Sequence, residues 1–126
     1  MLELTRPDGK TVTFNCPVEA SLSVVAGKWK LVILWYLRSS ILRFSELRRA
    51  MPDVTQQMLT AQLRELEADG VVKRRVYPQV PPKVEYSITE FGRTLDPLVD
   101  EMYRWGGVYI AHMRGHAEKR SRRQKR

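Results

Sequence analysis

The sequence holds one cysteine, Cys16, among 126 residues. A single thiol excludes an intrachain disulfide and a multi-cysteine zinc site. Histidine is nearly as scarce: His112 and His116 have no acidic or cysteine neighbours at triad or ligand spacing. A hydrolase needs a nucleophile beside a positioned base, and nothing here supplies one. A Gly-rich phosphate loop is lacking too. The residues therefore suggest no enzyme, no metal and no cofactor. The longest apolar run, Leu31–Leu37, is far short of the roughly 20 residues of a membrane span, so no membrane partner is expected. The first residues show no apolar signal core, and a cytoplasmic protein is the expectation.

What is present is a globular mix of 43% hydrophobic and 29% charged residues, enough for one domain. The net charge is +8, unevenly placed. The tail Arg114–Arg126 alone carries +6, so residues 1–113 carry only +2. Inside that body, Arg43–Lys83 is net +3 and Val84–Met113 net −3. Most of the basicity is thus a tail property, and a basic tail is more often a solvated, disordered end than a specific binding arm, so disorder is the expectation for residues 114–126.

Three segments follow from the pattern. Residues 1–15 form an extension in which Leu2–Thr5 and Thr11–Phe14 are β-prone around a Pro7-Asp8-Gly9 turn, a plausible hairpin. Residues 16–113 contain the main domain and residues 114–126 the basic tail. In the main domain, Cys16-Pro17 opens a helix that Gly27 interrupts, and Lys28–Arg38 is a helix apolar nearly all round. A third helix over about Ser45–Met51 takes Ser45 as its N-cap and stops at Pro52. Thr55 caps a fourth, about Gln56–Asp69, closing at Gly70. Val71–Tyr77 and Val84–Ile88 read as strands around a proline-rich loop, and Thr89-Glu90 opens a last helix that Gly106-Gly107 is expected to bend or break. This order, mainly α with a small β ribbon, is that of a winged helix-turn-helix.

At 100° per residue, Leu59, Leu63 and Leu66 share one side of the fourth helix. Gln57, Thr60, Ala61, Arg64 and Ala68 then face outward, and no acid occurs from Val54 to Arg64. Glutamine pairs with adenine, arginine with guanine, and a threonine methyl touches a thymine methyl. An acid-poor N-terminal half runs against the helix dipole but suits entry into a DNA groove, although any amphipathic helix has a polar outer face. Lys73, Arg74, Arg75 and Lys83 flank the loop between the strands, where they suit phosphates or simply protect a solvated edge. Arg74 has Glu67 and Asp69 as alternative partners.

The chain resembles the HxlR-type winged-helix transcriptional regulators, relatives of the MarR-like regulators. The resemblance rests on Cys16-Pro17-Val18-Glu19, Gly27-Lys28-Trp29-Lys30, Arg43–Leu47, Leu63–Val72 and Pro81–Thr89, and extends from Cys16 to about Gly106. It implies a homodimer that binds double-stranded DNA at an operator with two half-sites. Thr55, Gln56, Gln57, Thr60, Ala61 and Arg64 would then contact the groove, and Arg48, Arg74, Arg75 and Lys83 the backbone or wing region. The first and last helices would form the dimer interface through Val18, Leu22, Leu95, Leu98, Val99, Met102 and Trp105. Packing on the monomer core is the alternative use of those apolar residues. Some members of the family sense oxidants or electrophiles through a cysteine at the place of Cys16. A helix start favours thiolate, with Lys28 or Lys30 as helpers if close. An inert packing thiol is the other reading. Two further functions compete with the operator-binding one: non-specific nucleic-acid binding through the tail, and a winged module used only for protein contacts. Any small-molecule effector is unidentified.

Overall fold

The computed structural model describes residues 1–124, which fall into two bodies, Met1–Thr94 and a second that begins at Leu95. In the first, strands β1 (Leu2–Thr5) and β2 (Thr11–Phe14) pair antiparallel with Leu2 opposite Phe14. Gly9 (φ 87°) closes the hairpin, donating its N–H to the Arg6 carbonyl at 2.9 Å. Helices α1 (Pro17–Val25) and α2 (Lys30–Leu37) follow. Helix α2 starts two residues later than the sequence suggests.

Strand β3 (Leu42–Arg43) leads into α3 (Phe44–Ala50). Ser45 lies inside α3 and is not its N-cap. The Glu46 carboxylate reaches back to accept the Arg43 N–H at 2.8 Å, so the N-cap is Arg43, two residues earlier. Helix α4 (Gln56–Ala68) starts where expected, with Thr55 Oγ1 accepting the Met58 N–H at 3.1 Å. Strands β4 (Val72–Tyr77) and β5 (Lys83–Ile88) complete a three-stranded antiparallel sheet in the order β3-β5-β4. The fold is a winged helix-turn-helix, in which α3 and α4 form the two-helix motif and β4–β5 the wing.

The core is assembled from Ile33, Leu34 and Leu37 of α2, Leu47 of α3, Leu59, Leu63 and Leu66 of α4, and Val71 and Val72. A tight joint binds α4 to the wing. The Val71 N–H reaches the Leu66 carbonyl and the Gly70 N–H the Glu67 carbonyl, both at 3.0 Å, a Schellman motif with Gly70 at φ +76°. Thr89 locks the far end of β5 to the same joint. Its N–H donates to the Val71 carbonyl at 3.0 Å and its hydroxyl to the Gly70 carbonyl at 2.6 Å. The hydroxyl oxygen also accepts the Gly92 N–H at 2.9 Å. Thr89 therefore caps a single 3₁₀ turn, Gly92–Leu95, and does not open the last helix.

That helix, α5, runs Asp96–Gln124 without a break at Gly106-Gly107. It also corrects the expected disorder of the tail: residues 114–124 are helical. Their arginine, lysine, alanine and glutamine content is rich in good helix formers, and no proline interrupts it. Lys125 and Arg126 lie outside the described residues. Among the described residues no single helix is long and apolar enough to cross a membrane.

The joint sets a strict limit at Gly92, where a Cβ would stand 2.2 Å from the Val71 carbonyl oxygen. Gly92→Ala is expected to lower stability by about 1–3 kcal/mol or more in urea unfolding, as overpacked sites do. An unchanged midpoint would show that the joint is looser than described.

Candidate nucleic-acid interface

The outward face of α4 carries the residues expected there. Gln56, Gln57, Thr60, Ala61 and Arg64 line one shallow surface depression, and Thr55 is exposed at its edge. The burial of Leu59, Leu63 and Leu66 rotates this polar set away from the core.

The opposite charges of α4 are held within the chain. Lys30, only 5% exposed, extends from the apolar helix α2 to Glu65, with Nζ 2.6 Å from the carboxylate. Arg6 of the hairpin pairs with the largely buried carboxylate of Asp69 at the C-cap. Two of the three acids in the last turns are thus countered locally. Asp69 is engaged by Arg6 and not by Arg74. Sequence reasoning missed both Lys30 and Arg6 as partners of α4. The signal for Lys30 was a lone lysine opening a helix that is otherwise apolar, since a buried charge must find a partner.

The wing cations are organised by a tyrosine. Tyr77 lies opposite Lys83 in the β4–β5 register, and Arg75 opposite Glu85. The Arg75 guanidinium lies 4.7 Å and the Lys83 ammonium 4.6 Å from the centre of the Tyr77 ring. Lys83 Nζ reaches Glu85 at 3.0 Å, and the Tyr77 hydroxyl donates to the same carboxylate at 3.0 Å. The Lys83 hydrogen bond is the main reason that the Glu85 carboxyl sits below its ordinary range. Lys73 and Arg74 are exposed. Lys83 is therefore a partly engaged cation and not a free one.

Arg48 departs further from expectation. Its guanidinium donates to the Val54 carbonyl at 2.6 Å and closes the turn between α3 and α4. That is a structural bond in the helix-turn-helix, formed because Arg48 sits in the last turn of α3 and Val54 is buried just beyond it.

Cys16 is exposed at the start of α1, and both expected helpers are engaged with other residues. Lys28 lies over the Trp29 ring at 4.7 Å and Lys30 is bound to Glu65. On α1, Val18 and Leu22 are exposed. On α5, Leu98, Met102 and Trp105 form an exposed stripe that Tyr109 extends, its ring stacked on Trp105 with centroids 5.6 Å apart. Leu95 is half-buried. Val99, also of the expected interface set, is only 4% exposed in the single chain.

The chain is similar to known proteins over most of its length. A family model described as HxlR-like helix-turn-helix matches residues 24–114. The uncharacterized HTH-type transcriptional regulator YybR of Bacillus subtilis (strain 168) is 60% identical over 92 residues, 73% of this chain and 74% of its own. Among solved structures, the redox regulator HypR in its oxidized form is 59% identical at a TM-score of 0.71, covering 74% of this chain and 96% of that one. A putative HTH-type transcriptional regulator, ytcD, is 57% identical at a TM-score of 0.72, covering 75% and 97%.

Acid titration tests the wing cluster. The folded-state carboxyl of Glu85 titrates below its unfolded value, so its contribution is complete above the unfolded range and is lost as pH falls through the lowered folded value. Carbon-detected NMR is expected to place its midpoint below that of free glutamate, and Lys83→Ala to move it upward. A midpoint at or above the free value would mean that the cluster does not form in solution.

Proposed function

Since the chain belongs to the HxlR-like helix-turn-helix family and is a transcriptional regulator of that type, we propose that it binds an operator in double-stranded DNA as a homodimer. One observation carries this reading: Gln56, Gln57, Thr60, Ala61 and Arg64 stand together on one face of α4, in a stretch, Val54–Arg64, that holds no acid. These side chains match base edges in the major groove, and the small Ala61 permits close approach. The wing cations Arg74, Arg75 and Lys83 suit phosphate or minor-groove contact, with Tyr77 holding two of them.

A second copy of the chain would cover the apolar stripe of α5 and the exposed Val18 and Leu22 of α1. Two recognition helices would then lie roughly 34 Å apart, one turn of the duplex. Binding would act by occlusion or recruitment at a promoter, and a signal that changes the helix spacing would tune it. Cys16 is our candidate for that signal. The thiol is exposed, and HypR, at 59% identity, is described as a redox regulator. With one cysteine per chain, oxidation would join two chains or add a small thiol.

Footprinting of the DNA flanking the protein's own gene, with and without oxidant, is the direct test. Gln57→Ala and Arg64→Ala are each expected to weaken operator binding by about 1–3 kcal/mol while leaving random DNA little affected. If both leave regulation intact, the helix-turn-helix serves protein contacts and the proposal fails. Trp105→Glu is expected to shift the protein toward monomer in sedimentation equilibrium. A wild-type chain that is already monomeric at working concentration would remove the dimer.

A further inference from the structure

Several cations of the first body are engaged: Arg6 with Asp69, Lys30 with Glu65, Lys83 with Glu85, and Arg48 with the Val54 carbonyl. The end of α5 is the opposite case. Residues 114–124 carry Arg114, Lys119, Arg120, Arg122 and Arg123 against Glu118 alone. All five cations are exposed, and among the described residues none takes part in an ion pair. The preceding part of the same helix, residues 96–113, has the reverse balance, with Asp96, Asp100 and Glu101 against Arg104. Charge therefore changes sign along one continuous helix.

Two features identify the partner. Past Met113 the only apolar side chain up to Gln124 is Ala117. A helix that lies in a membrane surface needs an apolar face to bury, so this segment is unsuited to lipid. At 100° per residue the five cations spread over about two-thirds of the circumference. They present no single edge that reads bases, but they fit a polyanion approached from several sides. We infer that the helical arm of residues 114–124 is a second, sequence-independent DNA-binding site, which contacts phosphates while α4 reads the operator. Because the arm is helical before contact, the backbone ordering that a disordered tail undergoes on binding is already complete.

This inference rests on the reading of the protein as a DNA-binding regulator, and the two separate by experiment. The full-length chain carrying R114Q, K119Q, R120Q, R122Q and R123Q is compared with wild type on a fluorescein-labelled duplex of arbitrary sequence across a KCl series. Glutamine keeps helix propensity close to that of arginine and lysine, and circular dichroism checks it. Every phosphate that is no longer neutralised lowers the slope of log affinity against log salt by about 0.9, so a fall of about two or more is expected. Affinity for the arbitrary duplex is expected to drop roughly tenfold or more at fixed salt, as the reduced counterion release requires. Operator preference over that duplex is expected to persist. E118Q, which keeps every cation, is expected to bind the arbitrary duplex more tightly. An unchanged salt slope in the neutralised chain, or an E118Q chain no tighter than wild type, overturns the inference. So does a neutralised chain that loses binding to phosphatidylserine vesicles but not to DNA. If wild type shows no operator preference while the slope still falls, the operator reading fails and the arm stands.

Discussion

The rotation of α4 about its own axis decides which residues of this protein meet the outside world. Leu59, Leu63 and Leu66 are essentially fully buried, on a helix that packs against α2 and the start of the wing. Turning the helix by one residue, about 100°, would expose them and bury Arg64 or Gln57. Exposing three leucines costs several kcal/mol, and burying an unpaired arginine costs more. The polar front of the helix, without acids as far as Arg64, is therefore held in place by its leucine back. Its two ends are pinned as well, by Thr55 at the N-cap and by the Leu66–Val71 motif at the C-cap.

From that constraint the charge arrangement follows. Two of the three acids in the last turns of α4, Glu65 and Asp69, meet cations of the chain itself: Lys30 from the apolar helix α2 and Arg6 from the hairpin. Their negative charge is countered near the back of the helix, and the front remains neutral to positive. The wing is joined to α4 through hydrogen bonds at Gly70, Val71 and Thr89. Tyr77 gives two of the wing cations a fixed position, with Glu85 below its ordinary carboxyl range as the counter-charge. Arg48 serves the same purpose in the turn, where it satisfies a carbonyl next to a buried valine.

Much of this was legible from local pattern. The hairpin, the cap at Thr55, the leucine face of α4 and the wing strands each depend on neighbours within a few residues, where spacing and propensity dominate. Other features were hidden. Thr89 resembles an ordinary helix cap until the Gly70 carbonyl is brought beside it. Ser45 resembles a cap until Glu46 captures the Arg43 N–H. The helicity beyond Met113 was masked by charge density, which signals a solvated tail equally well. Arg48 read as a free cation because its partner lies in an irregular turn, whereas the partner of Lys83, Glu85, stands two residues on along the same strand.

By itself the sequence determined the order of elements, the apolar side of each helix and the polar character of the α4 front, because these follow from periods of two and 3.6 residues. Tertiary structure alone decided which charges stay available and which are engaged. Lys30 and Glu65, or Arg6 and Asp69, are far apart along the chain and meet only after the core has closed. Ion pairing depends on distance in space, and no local period encodes it.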